Sequence, residues 1–295
     1  MRSPAPEREG DDTLVWNVAC PTRPSSVPGV AMAGFSDRGR LPEGQRLIPH
    51  PAVTLVLDFG PAPPVVDAAD GRRHRGSLVA GLGLGGALWA RGDDLACVQV
   101  RLSPVTAGAA LGVRPDELEG AVVPLDALWG RDAARIGERL GEAASWEERF
   151  ALTDALLARR CAAATPANAV DPEVNRAWDR LVASRGRARV ERLADEVGWS
   201  RKRLWSRFRA QVGMGPKRAA KLVRFDHAAH RLAAGHDTAR VAAEGGYTDQ
   251  SHLHRDVVAF TGVTPTGVAR ASFLTVDETA WPTLPLGGVN AGKTV

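Results

Sequence analysis

The chain has 295 residues, of which 44% are hydrophobic and 24% charged, and it carries a net charge of +4. That length leaves room for two domains, and the ordinary apolar fraction excludes wholesale disorder. No apolar run reaches membrane-spanning length and the start lacks the apolar stretch of a signal peptide, so a cytoplasmic protein is expected.

Taken in chain order, residues 1–12 are polar and proline-bearing and read as a disordered N-terminus. Residues 13–160 read as a mixed domain. Val53, Leu55, Leu57 and Phe59 alternate with Thr54, Val56 and Asp58, and Val98, Val100 and Leu102 alternate with Gln99 and Arg101; both runs predict strands. Gly81-Leu-Gly-Leu-Gly-Gly86 lacks the Lys-Ser/Thr ending of a phosphate loop and predicts turns or a glycine-kinked strand. After Pro124, Leu125, Leu128, Ile136 and Leu140 fit helical faces, as do Phe150, Leu152, Leu156 and Leu157. The alanine-rich stretch 161–171, broken by Thr165-Pro166 and Asp171-Pro172, predicts the linker. Cys20, Cys97 and Cys161, odd in number and scattered, fit free thiols rather than disulfides or a zinc site.

Trp16, His50, Trp89, Cys97 and Arg101 are candidates for lining an effector pocket, since aromatics and one buried charge suit a small organic ligand. Each has a plainer reading: Trp89 and Cys97 as core, His50 as a turn residue, Arg101 as an exposed strand residue or a salt bridge.

Residues 172–272 repeat one pattern. Ala194, Gly198, Leu204, Phe208, Gly213 and Pro216 are matched, 49 residues later at the leucine, by Ala242, Gly246, Leu253, Val257, Gly262 and Pro265. Each copy reads as a helix, a glycine-bearing turn, a second helix and a stop, the plan of a helix-turn-helix unit. Ser200 and Asp249 stand where N-caps belong. With Leu204 and Phe208 facing inward, Lys202, Ser206 and Arg209 point outward, flanked by Arg201, Arg203 and Trp205. In the second copy Ser251 and Arg255 point outward, flanked by Gln250, His252 and His254. Arg255 is the candidate for a bidentate contact to guanine. A solvated basic face is the plainer reading of Arg201-Lys-Arg203, and core packing that of Trp205. Between the copies, Pro216 to Ala234 reads as one helix with a Leu222, Phe225, Ala229, Leu232 stripe, ended at Gly235. Recognition helices entering successive major grooves would stand about 34 Å apart.

Charge follows this division. Residues 172–272 hold 19 Lys/Arg against 10 Asp/Glu, whereas the rest of the chain is mildly acidic. A basic domain attracts phosphate polymers through counterion release.

The block Gly246-Tyr-Thr-Asp-Gln-Ser-His-Leu-His-Arg255, followed by Thr261-Gly-Val-Thr-Pro265, closely resembles the C-terminal signature of AraC/XylS-type transcriptional regulators. Leu193-Ala-Asp-Glu-Val-Gly-Trp-Ser200 and Gly213-Met-Gly-Pro216 are similar to the first helix-turn-helix of that family. Val257 departs from the usual Phe, and Ser206 from a frequent Arg. The stretch Val98-Gln-Val-Arg-Leu-Ser-Pro104, with Leu111-Gly-Val113 and Val123-Pro-Leu-Asp126, resembles an upstream domain of unassigned function found in actinobacterial members.

The resemblance implies an α+β chain: a mixed N-terminal domain with short β-strands and flanking helices, then an all-α double helix-turn-helix domain. It implies a transcription regulator with duplex DNA as partner. A small effector, a second copy of the chain and RNA polymerase are its further candidate partners. Catalytic residues, metal ligands and cofactors are not expected: the motifs for a nucleophile elbow or metalloprotease are missing, and only His50 and His74 precede the linker. Two alternatives remain, an enzymatic N-terminal domain fused to a DNA-binding module and a non-specific DNA-binding protein. Residues 273–295 read as a tail, docked in part through Trp281.

Overall fold

The alternation at residues 53–58 becomes one of the two central strands of a six-stranded antiparallel sheet. The computed structural model describes residues 17–36, 45–68, 71–84, 88–270 and 280–281. The expected disorder at 1–12, the effector candidate Trp16 and most of the tail 273–295 lie outside these residues.

The strands are β1 (Asn17–Ala19), β2 (Val30–Ser36), β3 (Gln45–Leu47), β4 (Val53–Asp58), β5 (Val65–Asp67), β6 (Arg73–Arg75), β7 (Leu78–Ala80), β8 (Leu88–Arg91), β9 (Ala96–Leu102) and β10 (Val122–Pro124). One sheet has the order β1-β2-β9-β4-β7-β10 and a second has β3-β8-β5-β6. In the larger sheet β9 is the spine, with Val100 opposite Met32 on one side and Leu55 on the other. Because side chains alternate along a strand, the sheet has two different faces. Val53, Leu55, Leu57, Val98, Val100 and Leu102 form one face, all buried. Helices α1 (Pro104–Leu111), α3 (Arg131–Glu142) and α4 (Trp146–Ala162) cover it, contributing Leu111, Ile136, Leu140 and Leu157 to the same core. Short α2 (Leu125–Trp129) leads into α3. The other face carries Thr54, Val56, Asp58, Cys97, Gln99 and Arg101 and looks toward the smaller sheet.

The glycine run after β7 forms a turn at Leu82–Gly83; Gly83 has φ +75°, a conformation in which only glycine is unstrained. Residues 85–86 of that run lie outside the description.

All-helical structure follows α4: α5 (Pro172–Ala183), α6 (Val190–Glu196), α7 (Arg201–Val212), α8 (Pro216–Ala233), α9 (Thr238–Gly245), α10 (Gln250–Thr261) and α11 (Pro265–Ala269). Between α4 and α5 lies a single 3-10 turn at Pro166–Asn168. Asp171 closes this stretch by accepting two hydrogen bonds from Arg207 of α7, at 2.6 and 2.8 Å. The apolar core does not stop at this connection. It continues from α1 and α4 through Val174, Trp178 and Leu181 of α5 to Leu204 and Phe208 of α7, with the Trp178 and Phe208 rings 6.4 Å apart. Among the described residues no helix is long and apolar enough to cross a membrane, and the three cysteines form no disulfide with one another.

Candidate nucleic-acid interface and effector cavity

The first recognition helix is built by local chemistry. Gly198 takes φ +69° between α6 and α7, and the Ser200 hydroxyl accepts from the Arg203 backbone N–H at 3.2 Å. Leu204, Phe208 and Val212 then repeat at helical spacing on the buried side. Arg201, Lys202, Arg203, Trp205, Ser206 and Arg209 are exposed, Trp205 to 51%. The Arg209 guanidinium lies over the Trp205 ring at 5.6 Å, so the exposed indole and this cation form one surface. The Arg203 guanidinium lies over the Trp199 ring at 4.5 Å, and Arg201 lies 3.7 Å from Glu191.

The second unit repeats the construction. Gly246 takes φ +74° at the end of α9, and Asp249 accepts from the His252 N–H at 2.7 Å. Leu253, Val257 and Phe260 are buried, so valine fills the inward position without leaving it exposed. Gln250, Ser251, His254 and Arg255 are exposed. Arg255 Nε donates to the Ser251 carbonyl at 3.3 Å, which lays its guanidinium along the outer surface of α10. His252 is only half-exposed, its ring set edge-on against Tyr247 at 5.2 Å. Asp256 turns inward toward α8, 2.9 Å from Lys221 and 3.6 Å from Arg224.

One helix, α8, joins the units, with Leu222, Phe225, Ala229 and Leu232 buried along its stripe. Phe225 stacks on Phe260 of α10 at 4.6 Å, and α8 also packs against α5, α7 and α11. The spacing of the two recognition helices is therefore held by packed side chains along α8 rather than by a loop.

The N-terminal half grips this domain at three places that single residues of the sequence do not announce. Glu119 accepts from Arg209 of α7 at 3.1 Å and from Arg218 of α8 at 3.1 Å, and Arg218 also donates to the Gly83 carbonyl at 2.7 Å. Arg46 of β3 donates to the Thr261 carbonyl at the C-terminus of α10 at 2.7 Å, where a cation meets the negative end of a helix dipole. His50 Nδ1 lies 2.7 Å from Asp226 Oδ1 of α8. Burial pushes the Asp226 carboxyl up, but the His50 hydrogen bond and the charges of His50, His230 and Arg101 outweigh it and hold it below the usual carboxylate range.

His50 belongs at the same time to a cavity of about 170 Å³ between the two sheets. Its walls are mostly apolar, with Val56, Val66, Leu78 and Leu88 prominent; polar groups come from His50, Asp58, Gln99 and Arg101. Arg101 is buried, 3% exposed, so its reading as an exposed strand residue is corrected: strand alternation turns it inward beside Thr54. Cys97 also lines the cavity, and burial followed by the nearby Asp58 charge pushes its thiol up to about 12. Asp58 itself is raised by burial to about 6, against a smaller opposing effect of the Gly60 N–H. Trp89 needs correcting both as core and as pocket lining. Its neighbours Leu88 and Ala90 face the cavity, so the pleat turns Trp89 outward, where it is 38% exposed beneath Arg46 at 4.7 Å.

Two capped turn-and-recognition-helix pairs joined by one packed helix define a double helix-turn-helix DNA-binding domain. Residues 193–271 match the family described as Helix-turn-helix domain and form an AraC-type helix-turn-helix domain. No curated protein matches the chain. Among solved structures, ToxT from Vibrio cholerae O395 is 9% identical with a TM-score of 0.47, the alignment covering 83% of this chain and 98% of that one. The unsaturated fatty acid bound wild-type ToxT from Vibrio cholerae strain SCE256 is 10% identical with a TM-score of 0.45, covering 84% and 97%. The AraC-like transcriptional activator CuxR is 16% identical with a TM-score of 0.26, covering 81% and 90%.

Proposed function

We propose that the protein is a sequence-specific transcription regulator that reads two successive major-groove segments and is modulated by a small effector in its N-terminal domain. The observation that carries the DNA reading is the pair of exposed polar outer faces on α7 and α10, which carry Arg209 and Arg255. Both helices pack against α8, with α10 held there through Lys221, Arg224 and Phe225. Arg255 reads a guanine edge, with Ser251 and His254 beside it, while Arg201, Lys202 and Arg203 at the start of α7 meet phosphates and bases of the neighbouring segment. Trp205 supplies an apolar contact to sugar or thymine methyl groups there.

The cavity supports the effector part of the reading because its wall includes His50, the residue bonded to α8. A ligand that moves His50 changes the seat of the helix that spaces the two recognition helices. That is a differential contact of the kind coupling requires.

The experiment is selection of genomic DNA fragments by the purified full-length protein at roughly physiological salt. Recovery of one motif with two half-sites about 10 base pairs apart supports a bipartite reader. Uniform recovery, both without and with candidate effectors, refutes sequence-specific reading.

A further inference from the structure

Downstream of the second helix-turn-helix unit, Ala280 and Trp281 return to the N-terminal domain. Ala280 is 3% exposed and Trp281 9%. Cys20 Sγ lies 3.7 Å from the Ala280 carbonyl. The indole packs with Ala33 and Phe35 of β2, its ring 6.5 Å from that of Phe35, and the Arg101 guanidinium lies over it at 4.3 Å. The register decides which face this is. Ala33 is paired with Gln99 and Phe35 with Cys97, and Phe35, Cys97, Gln99 and Arg101 all line the cavity. Trp281 therefore occupies one corner of the inner face of the sheet, against residues that the cavity shares.

The chemistry of that corner is that of a site for a flat aromatic ring. A buried cation stacks on one π-face, an aromatic ring tilts against another side, and alanines leave the floor low. The occupant fits imperfectly: the Trp281 indole nitrogen is buried and, among the described residues, meets no hydrogen-bond partner. An unpaired buried donor weakens the docking, which suits an occupant that can be exchanged. The Arg101 charge also helps hold the Asp226 carboxyl of α8 down, so the cation that stacks on the indole acts electrostatically on the connecting helix.

We propose that this corner is an aromatic subsite of the cavity, that Trp281 is its resident occupant, and that a planar aromatic small molecule binds there by displacing the chain's own indole. The proposal rests on the reading of the cavity as an effector site. It names both the ligand class and the element that competes for the position. The gain is regulatory: a ligand ring in place of Trp281 undocks Ala280 and Trp281 from the inner face of the sheet and keeps a partner on Arg101.

The test uses the full-length protein and indole itself as the probe. Trp281→Ala is expected to bind indole at least tenfold more tightly than the unmodified protein, by calorimetric titration, because competition has been removed. In the unmodified protein labelled with 5-fluorotryptophan, the signal missing from Trp281→Ala identifies Trp281. Saturation with indole should give that signal the solvent-isotope sensitivity of an exposed ring. Should Trp281→Ala not fold, Trp281→Leu keeps apolar bulk without a stacking ring and should show a smaller gain. Equal indole affinity in folded variant and unmodified protein, or saturation that leaves the Trp281 signal unchanged, overturns the proposal. Tighter binding by the variant supports the subsite even if no cavity ligand alters DNA affinity; that second result would sink the effector reading alone.

Discussion

His50, on the rim of the cavity, and Asp226, in the middle of the helix that joins the two recognition units, lie 2.7 Å apart although 176 residues separate them in the chain. Both side chains are largely buried, at 11% and 19% exposure, so the pair is a firm clasp rather than a solvent-screened surface contact. His50→Ala should lower unfolding stability by about 1.5–3 kcal/mol, the range for a hydrogen bond to a charged group, measured by chemical denaturation. Asp226 is held below the usual carboxylate range, so it stabilises the fold at neutral pH and loses that effect as pH falls through the carboxylate range. In Asp226→Asn this share of the acid sensitivity should vanish.

Asp58 carries the opposite sign. Its folded value is raised from 3.8 to about 6, so across that window the folded protein binds more protons than the unfolded chain. Stability from this residue consequently falls as pH rises from about 4 to about 6 and stays lower above it. Asp58→Asn should be more stable than the unmodified protein at pH 7 and equal to it near pH 4. Melting curves that run in parallel across this range would mean that the cavity does not perturb Asp58.

Arg255→Ala should cost about 1–3 kcal/mol at the cognate DNA site and relax one base position, read by competition binding with single-base variants. A loss of the same size on random DNA would instead assign Arg255 to a phosphate.

Glu119 lies against Arg209 and Arg218, and in that arrangement it competes with DNA phosphate for both cations. Glu119→Gln should tighten binding and steepen the dependence of log affinity on log salt by about one phosphate contact. Fluorescence anisotropy across a salt series measures both. An unchanged slope would mean that neither arginine reaches the duplex from this conformation.

The double helix-turn-helix was legible because its signals are local. Gly198 and Gly246 at positive φ, Ser200 and Asp249 as caps, and Leu204, Phe208, Leu253 and Val257 at helical spacing each act within one or two turns of backbone. The strands β4 and β9 were legible for the same reason, since alternation states which residues share a face. Alternation does not state which face is inner. That is why Trp89, a bulky aromatic, reads as core yet faces solvent, and Arg101, a cation, reads as surface yet is buried.

The sequence by itself determined where each of the helices α7 and α10 begins, where it ends and which side of it is exposed, since capping and the 3.6-residue period need no knowledge of distant residues. Only the tertiary structure decided that Glu119 faces Arg209, that Arg46 closes the end of α10, that His50 reaches Asp226 and that Trp281 shares Arg101 with the cavity. Each of these pairs unites residues of the N-terminal half with residues far along the chain. Such a contact forms when sheet, helices and tail pack over a common core, so no pattern in the neighbourhood of either residue encodes it.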